Sequence, residues 1–313
     1  MVPCCYPLGF LLFSILMAVS SASSTPPPNS PTVFFSQGFS PLYGNQNVIP
    51  YGDDRSVQIS MDVRSSSGFA TKEIFLHGYF SSTIKLPENY TAGVVVTFYA
   101  SNGQIFPTNH DEIDFEFLGR VQGQDWVLQT NMYGGGSTAR GREERYVLWF
   151  DPSKGFHRYA VLWTEDRIIF YVDGVPIREV QRVAAMGGDW PAKPMNFIGT
   201  IWNGSDWATN GGRDKLNMAY GPYIAKYSDF VLNGCPADPI KFTPECEKNP
   251  GFATIPVGIT AKERTKMKRF RRKYMRYSYC HDRARYKVPL PECALDRKEE
   301  ARLRSFMHVN LLS

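Results

Sequence analysis

Acidic and large apolar side chains alternate along one stretch of the chain, His110-Asp111-Glu112-Ile113-Asp114-Phe115-Glu116-Phe117. A period of two is typical of a β-strand, in which successive side chains point to opposite faces of the sheet. Such a strand places Glu112, Asp114 and Glu116 on one face and its apolar residues on the other. Because like charges this close repel one another, we expect the carboxylates to share protons or to have separated pKa values. The pattern predicts an apolar core on one side of the sheet and an acidic cleft on the other.

A second alternating stretch, residues 126–133, follows the acids after a connection typical of antiparallel strands. We expect a hairpin that pairs Asp114 with Gln129, which places the amides of Gln129 and Asn131 on the acidic face. Three large apolar residues then join the core on the opposite face: Trp126, Leu128 and Met132. Amides beside carboxylates suit sugar hydroxyls, which both donate and accept hydrogen bonds. A polar strand that merely contacts water is the alternative, but it would not require the second alternation.

Paired carboxylates without metal-ligand spacing or a cofactor motif indicate chemistry on a glycosidic bond. One acid protonates the leaving oxygen, and another attacks the anomeric carbon. A retaining mechanism requires the two carboxyl groups to lie about 5–5.5 Å apart. Four residues of strand separate the Cα atoms of Glu112 and Glu116 by roughly 13 Å. Since Glu is long and the shorter Asp114 lies between them, we expect the two Glu side chains to converge.

The chain from about residue 31 to residue 233 contains short runs rich in Val, Ile, Phe and Tyr, separated by Gly, Asn, Asp and Pro. This pattern is typical of strands joined by tight turns. The predicted strands cover residues 57–63, 78–86, 93–100, 111–118, 126–133, 146–150, 158–164, 168–172, 195–201 and 223–232. No long helical period interrupts them. The fold class is therefore all-β, and the regular spacing favours one antiparallel sandwich.

The N-terminal region predicts export. No charged residue precedes Asp53, and residues 8–19 form an apolar run followed by small residues. The run is too short to cross a membrane comfortably. It is typical of a secretory signal peptide, although the usual Lys or Arg before it is missing. We expect a signal peptide over residues 1–24 and a soluble, exported mature protein.

The cysteines divide into two groups. Cys4 and Cys5 lie within the predicted signal peptide, and four others remain in the mature chain: Cys235, Cys246, Cys280 and Cys293. Four cysteines permit three pairings, but their close spacing in twos favours Cys235 with Cys246 and Cys280 with Cys293. A zinc site is the alternative, but CxxC spacing is missing and export implies an oxidising compartment. No spacing in the sequence predicts a metal or any other cofactor.

Two sequence triplets can accept N-linked glycans in an exported protein. They begin at Asn89, in Asn-Tyr-Thr, and at Asn203, in Asn-Gly-Ser. We expect both asparagines to be glycosylation sites on the surface.

The basic residues of the chain are concentrated in one segment. Residues 262–276 contain nine Lys or Arg and one acid, while the whole chain has a net charge of +5, so the rest is mildly acidic. Four apolar residues in this segment recur at helical spacing: Met267, Phe270, Tyr274 and Tyr277. We expect a helix whose apolar stripe packs on the body and whose solvated basic face attracts acidic polysaccharide. Nucleic-acid binding is the alternative, which export and disulfides disfavour.

Several motifs in order resemble the plant xyloglucan endotransglucosylase/hydrolases of glycoside hydrolase family 16. They include Glu112-Ile113-Asp114-Phe115-Glu116-Phe117-Leu118-Gly119, Gln129-Thr130-Asn131 and the Cys-bearing C-terminal segments. The segment Gly141-Arg142-Glu143-Glu144-Arg145 is similar to that of one subgroup. The resemblance spans about residues 35 to 294. It implies a concanavalin-like β-jelly-roll sandwich over residues 25–234 and a small disulfide-bridged extension over residues 235–313, which contains a helix and packs on the catalytic domain.

The resemblance also implies roles for individual residues. Glu112 matches the nucleophile, Glu116 the general acid/base and Asp114 the residue that tunes both. Nine positions are similar to the family's substrate groove: Gln129, Asn131, Tyr99, Arg142, Glu144, Trp202, Trp207, Gly212 and Tyr279. Indole rings at Trp202 and Trp207 could stack on pyranose rings, and the alternative for both is a place in the core. The chain departs from many members at Arg120-Val121-Gln122, where they carry a glycosylation triplet.

The implied function is a xyloglucan endotransglucosylase of the cell wall, or apoplast. Its partners would be xyloglucan donor and acceptor chains, with no nucleic acid and no membrane, and we expect a monomer. Three alternatives remain open: net hydrolysis of xyloglucan, hydrolysis of mixed-linkage or β-1,3-glucan, and an inactive protein that binds wall polysaccharide. The third is disfavoured because all three acids are present.

Overall fold

The computed structural model of the protein describes residues 31–312. The predicted signal peptide over residues 1–24, with Cys4 and Cys5, lies outside the described residues. Within the described range the chain forms fifteen strands and three α-helices. The strands are β1 (Phe39–Tyr43), β2 (Val48–Tyr51), β3 (Ser56–Met61), β4 (Ser67–Thr71), β5 (Phe75–Lys85), β6 (Val94–Ser101), β7 (Glu112–Leu118), β8 (Val127–Tyr133), β9 (Glu144–Val147), β10 (His157–Trp163), β11 (Arg167–Val172), β12 (Val175–Gln181), β13 (Asn196–Asn203), β14 (Tyr223–Pro236) and β15 (Met275–Ser278). The helices are α1 (Phe35–Gly38), α2 (Ala261–Tyr274) and α3 (Arg297–Leu312).

The strands form two antiparallel sheets that face each other across one core. The first sheet has the order β1-β4-β13-β6-β7-β8-β9-β15, and the second has the order β12-β11-β10-β5-β14-β3-β2. The acidic strand β7 therefore lies near the centre of the first sheet, with β6 and β8 as its neighbours. The prediction of an all-β antiparallel sandwich is confirmed.

Five strands were missing from the sequence prediction: β1, β2, β4, β12 and β15. Pro41, Pro50 and Pro176 lie in β1, β2 and β12, and these three strands are the outermost strands of their sheets. Proline breaks the sequence pattern of a strand, but an outermost strand tolerates it because one side of its backbone has no strand to bond. The short β4 contains Gly68, which lowers its strand propensity.

The apolar face of β7 fills the space between the sheets. Ile113, Phe115 and Phe117 are completely buried, as the alternation predicted. The ring of Phe117 meets Tyr159 of β10 edge to face, with ring centroids 4.6 Å apart. Phe115 meets Phe170 of β11 in the same way, at 5.2 Å. Each such side chain contributes roughly 1.5–3 kcal/mol by burial, so the sheet that carries the acids is anchored through the opposite side of the same strand.

The register of the β7–β8 hairpin differs from the sequence prediction by two residues. Asp114 lies opposite Asn131, where Gln129 was expected, and Glu116 lies opposite Gln129. A shift of two keeps every side chain on its face, so the amides still lie on the acidic face. The alternation determines the face on which each residue lies. The register of β7 against β8 depends on the conformation of the loop that joins them, which its length alone does not reveal.

The C-terminal segment contributes a strand to the first sheet. β15 pairs with β9, and α2 packs against β12, β9 and β15. α2 begins with a reciprocal cap, in which Thr260 accepts a hydrogen bond from the backbone of Glu263 and the Glu263 carboxylate accepts one from the backbone of Thr260. Met267 and Phe270 are buried, as the helical spacing predicted. Tyr277 is not part of the helix, because α2 ends at Tyr274 and the chain then bonds to β9.

Both predicted disulfide bonds are present. Cys235 is bonded to Cys246 and Cys280 to Cys293, with Cα atoms 4.3 Å and 5.4 Å apart. Strand β14 runs through the predicted domain boundary at residue 234 and reaches the first of these cysteines. Among residues 31–312, no helix is both long enough and apolar enough to cross a membrane.

Candidate active site

The acidic face of β7 and the facing residues of its neighbours form the floor of the candidate site. Residues that pair across antiparallel strands point to the same face, so the register defines this floor. On β6 it includes Ser101, Tyr99 and Thr97, opposite the three acids in chain order. On β8 it includes Tyr133, Asn131 and Gln129 in the same order.

Glu112 receives hydrogen bonds at one end of the floor. The Tyr133 hydroxyl donates to its Oε1 at 2.8 Å, and His110 Nε2 lies 3.8 Å from its Oε2. His110 Nε2 also lies 2.8 Å from the Tyr133 oxygen, which it can reach as a donor because that hydroxyl proton is used on Glu112. Burial raises the pKa of Glu112, while hydrogen bonds from Tyr133 and Ser101 oppose the shift. These donors stabilise an ionised Glu112.

Asp114 is buried between the two glutamates. Burial and the charges of Glu112 and Glu116 raise the pKa of Asp114 well above its usual range. The hydrogen bond between Asp114 and Glu112 lowers the pKa of Glu112 and raises that of Asp114, so the shared proton belongs to Asp114. One protonated carboxyl therefore donates to its ionised neighbour, which removes most of the repulsion expected from the sequence.

Glu116 is in a different environment at the other end of the floor. Gln129 Nε2 donates to Glu116 Oε2 at 2.5 Å, and Arg145 Nε donates to Gln129 Oε1 at 2.7 Å. Burial raises the pKa of Glu116 to about 7, although the bond from Gln129 opposes the shift. Glu116 is therefore protonated in weakly acidic solution. A protonated carboxyl and an ionised one on the same face can supply a proton and a nucleophile to a single bond.

Aromatic side chains lie at one end of the floor. Trp202 of β13 pairs with Val95 and so lies on the acidic face, half-buried. Trp207, also half-buried, has its ring centroid 6.1 Å from that of Trp202. Both pack against a small cluster that includes Leu118. Neither indole is a fully buried core residue, and both lie at the Leu118 end of the floor. Tyr99 is half-buried as well and lies opposite Asp114.

Gly212 shapes the loop that carries Trp207. Its φ is +83°, and a side chain there would collide with the carbonyl oxygen of Asp206. Only glycine fits both conditions easily. Gly212 therefore allows the backbone conformation of the loop that carries Trp207.

Three residues expected near the groove are instead buried in a seam between β9 and the C-terminal extension. Arg142 has no exposed surface and donates to Glu292 at 2.6 Å and to Asp189 at 3.1 Å. Tyr279 is also buried and donates to the same Glu292 at 2.9 Å. Glu144 accepts from Arg271 Nη2 at 2.7 Å. Arg142 has no exposed surface, and Glu144 and Tyr279 line a cavity of about 900 Å³ beside α2, so these side chains do not lie on the acidic floor.

The alternation of β9 explains this correction. Glu144 lies opposite Thr130, on the core face, whereas Arg145 lies opposite Gln129, on the acidic face. Arg145 is therefore the residue of this segment that reaches the site, and Tyr277 of β15 lies opposite it, with the guanidinium 5.4 Å from the ring centroid. Sequence reasoning missed Arg145, Tyr277 and Tyr133. The alternation of β9 places Glu144 and Arg145 on opposite faces, but only the pairing with β8 identifies Arg145 as the one on the acidic face.

The two predicted glycosylation asparagines, Asn89 and Asn203, are exposed. Glycan attachment at either position stays a prediction. In the described part of the chain, no group of three or more His, Cys, Asp or Glu side chains is arranged to hold a metal ion.

Two segments of the chain each match the model of a protein family. Residues 35–220 match the family described as Glycosyl hydrolases family 16. Residues 244–293 match the family described as xyloglucan endo-transglycosylase (XET) C-terminus.

The chain is also similar to curated proteins over most of its length. Probable xyloglucan endotransglucosylase/hydrolase protein 28 of Arabidopsis thaliana is 50% identical over 299 residues, which cover 95% of this chain and 90% of the relative. Probable xyloglucan endotransglucosylase/hydrolase protein 27 of the same plant is 52% identical over 279 residues, which cover 89% of this chain and 84% of the relative.

Solved structures share the sandwich. A Bacillus licheniformis β-glucanase superimposes with a TM-score of 0.51 at 21% identity, covering 64% of this chain and 94% of the other, which is a likeness of fold. The structure described as apo Crh5 transglycosylase superimposes with a TM-score of 0.51 at 25% identity, covering 66% and 83% of the two chains.

Proposed function

The chain belongs to the xyloglucan endotransglucosylase/hydrolases of glycosyl hydrolase family 16, and we propose that it cuts xyloglucan and transfers the cut chain to another xyloglucan. The protein is an enzyme of this family, and the modification of cell-wall xyloglucan follows from its relatives. The family inferred from the sequence motifs is confirmed. Membership of the subgroup with Gly141-Arg142-Glu143-Glu144-Arg145 stays a prediction.

The observation that carries the proposal is the placement of Glu112 and Glu116 on one face of β7 in different surroundings, with the Tyr133 hydroxyl bonded to Glu112 and the Gln129 amide to Glu116. In the first step Glu112 attacks the anomeric carbon, and Glu116 gives its proton to the departing glycosidic oxygen. The backbone is cut, and the donor half is held as an ester on Glu112. A Glu116 pKa of about 7 suits this step, because the acid is then protonated in weakly acidic solution.

In the second step the roles of Glu116 reverse. Ionised after the first step, Glu116 takes the proton from an incoming hydroxyl, whose oxygen attacks the anomeric carbon and releases Glu112. Asp114 supports both steps through its hydrogen bond to Glu112, which favours the ionised carboxylate before attack and after release. No other reagent is needed, since every proton removed is returned.

Transfer and hydrolysis differ only in the molecule that supplies this hydroxyl. The half-buried Trp202 and Trp207 beside the floor support transfer, because indole rings offer an apolar surface on which an acceptor pyranose can stack. We propose the half-buried Asn131 and Tyr99 as polar contacts for the sugar hydroxyls, whereas the buried Gln129 acts on the acid through its bond to Glu116. Hydrolysis is the second candidate activity, because Glu112 and Glu116 are both partly open to solvent.

The experiment is to incubate the enzyme with xyloglucan, with and without a fluorescent xyloglucan oligosaccharide, and to measure polymer size and label. Transfer predicts that label enters the polymer and that chains shorten markedly only when the oligosaccharide is present. Equal shortening in both reactions, with unlabelled polymer, would establish hydrolysis. Glu112→Gln is the matched control, because it keeps the shape of the side chain and removes the nucleophile. If this variant retained full turnover, the assignment of Glu112 would be wrong.

We propose further that the mature enzyme is a secreted monomer of the cell wall, or apoplast. It would consist of a catalytic domain over residues 25–234 and an extension over residues 235–313, after removal of residues 1–24. The two disulfide bonds support an oxidising compartment. N-terminal sequencing of the secreted protein and its mass before and after glycan removal test the cleavage site and the glycans at Asn89 and Asn203.

A further inference from the structure

The outer face of α2 carries more positive charge than its surroundings neutralise. Two arginines of the helix are paired with the body of the protein, Arg264 with Glu179 and Arg271 with Glu144. Six other basic side chains of α2 are exposed and have no salt bridge to any acid among residues 31–312: Lys262, Lys266, Lys268, Arg269, Arg272 and Lys273. Like charges at helical spacing destabilise a helix, so this surplus has a cost unless an anion binds there.

Three of these cations surround an aromatic cavity. The cavity has a volume of about 310 Å³ and lies between α2, the segment after β9 and the start of β12. Lys266, Arg269 and Lys273 line it together with Trp149 and Tyr274. No acidic side chain of the described residues lines it. The other three exposed cations lie outside this cavity.

Trp149 is a fixed and accessible part of the cavity wall. Its side chain is 39% exposed, which is unusual for the largest apolar side chain. Phe150 and Phe270 contact the indole edge to face, with ring centroids 5.0 Å and 5.5 Å from that of Trp149. These contacts hold the indole plane in place, so a ligand would find a preformed aromatic surface.

The combination selects one class of ligand. An aromatic surface binds the apolar face of a pyranose ring, and Lys and Arg bind carboxylates. A neutral glucan would leave the cations without partners, and an acidic peptide would leave the indole without a ring. Along the helix, Lys266 and Lys273 are separated by about 10 Å. One sugar cannot reach all three cations, so the ligand should be a chain of carboxylated sugars.

We propose that Trp149, Lys266, Arg269 and Lys273 form a second polysaccharide site, which binds a chain of uronic acid residues. None of these residues lies on β6, β7 or β8, so the site is separate from the acidic floor. The site goes beyond the proposed function and does not depend on it. It would hold the enzyme on an acidic polysaccharide while the acidic floor acts on a neutral one.

Calorimetric binding of an oligogalacturonate to the full-length enzyme tests the proposal. The variant Lys266→Gln, Arg269→Gln, Lys273→Gln removes the cations of the cavity. The matched control, Lys262→Gln, Lys268→Gln, Arg272→Gln, removes the same charge from the same helix. We expect the first variant to weaken binding at least about tenfold, since three exposed ion pairs are lost, and the second to weaken it less than about threefold. Equal losses would mean that only the overall charge of α2 attracts the polymer, and would overturn the proposal.

Two other probes distinguish the contribution of the ligand's pyranose rings from that of its carboxylates. A methyl-esterified oligogalacturonate keeps the sugars but is neutral, and poly-glutamate keeps the carboxylates but lacks pyranose rings. We expect weaker binding of both, and Trp149→Phe should weaken the binding of oligogalacturonate but leave that of poly-glutamate unchanged. If either probe bound as tightly as oligogalacturonate, the proposal would be wrong.

One further variant separates this proposal from the proposed function. Glu112→Gln should abolish action on xyloglucan and leave the binding of oligogalacturonate unchanged, whereas the cavity variant should keep its action on xyloglucan oligosaccharides. Loss of oligogalacturonate binding in folded Glu112→Gln would place the acidic polymer on the acidic floor and refute a second site. Thermal unfolding verifies that each variant is folded.

Discussion

Replacing Gln129 by Leu should move the alkaline limit of activity to higher pH. Gln129 donates to Glu116 at 2.5 Å, and this bond favours the ionised form of Glu116, whose pKa is about 7. A hydrogen bond to a charged group contributes roughly 1.5–3 kcal/mol, and one pKa unit corresponds to about 1.4 kcal/mol. Its loss should therefore raise the pKa of Glu116 by roughly one to two units.

The direction in which the alkaline limit moves follows from the role proposed for Glu116. The first step requires the protonated acid, and a higher pKa keeps Glu116 protonated to higher pH. The descending alkaline limb of kcat/KM, which reports the free enzyme, should move upward by the same amount. The measurement is the pH profile of kcat/KM with a xyloglucan oligosaccharide donor. The plateau should also fall, because a weaker acid transfers its proton less readily.

Thr97→Val is the matched control for this prediction. Thr97 lies opposite Glu116 on β6, but its hydroxyl is bonded to Thr200 at 2.6 Å. Its removal changes the neighbourhood of Glu116 by one atom without touching the bond from Gln129, so the alkaline limb should stay in place. If the limb remained near pH 7 or moved downward in a folded Gln129→Leu enzyme, the acid role of Glu116 or the effect of Gln129 on its proton would be refuted.

Three further predictions concern other parts of the site and the seam. Asp114→Ala should move the acidic limb of the kcat/KM profile to higher pH, because Glu112 loses a donor that favours its ionised form. Asp114→Asn, which can still donate, should return the limb most of the way to its original pH. An unchanged limb in both variants would contradict the assignment of the proton to Asp114. Trp207→Ala should raise KM for an acceptor oligosaccharide about threefold to tenfold, from the loss of aromatic stacking, and increase the share of hydrolysis; an unchanged product ratio would remove Trp207 from acceptor binding. The third concerns Glu144: burial alone would raise its pKa, but the charges of Arg271 and Arg178 lower it to about 2. Its folded-state pKa is depressed, so its stabilisation is present above about pH 4.5 and is lost as the pH falls toward 2, worth about 3 kcal/mol. Glu144→Gln should destabilise the fold at pH 6 by roughly 3–5 kcal/mol in chemical unfolding, and should lessen the further loss of stability on acidification.

The sequence predicted the features that depend on local alternation. The faces of Glu112 and Phe115 follow from a period of two, and this period does not depend on the partner strand. The same reasoning placed Gln129 on the acidic face despite the error in register, because an even shift preserves the face. The disulfide pairs followed from spacing along the chain, which is also local information.

Features that depend on packing between distant segments were not predicted. Arg142 and Glu144 were assigned to the groove by resemblance, but the pairing of β9 with β8 turns Glu144 to the core and Arg145 to the acids. Tyr277 continues the apolar spacing of α2, yet hydrogen bonding to β9 makes that residue part of a strand. Neither pairing leaves a signal in the sequence close to the residues concerned. Tertiary contacts decided both positions.

Strand β15 has a consequence for the solubility of the enzyme. Without it, β9 would be the last strand of the sheet, with a row of free N–H and C=O groups that can recruit strands from other molecules. β15 covers this row, and it is itself a poor template, because it is four residues long and its pairing is irregular between Met275 and Tyr277. Arg302 of α3 also bonds the Met275 carbonyl at 2.9 Å. The C-terminal extension thus protects the catalytic sheet from aggregation in solution.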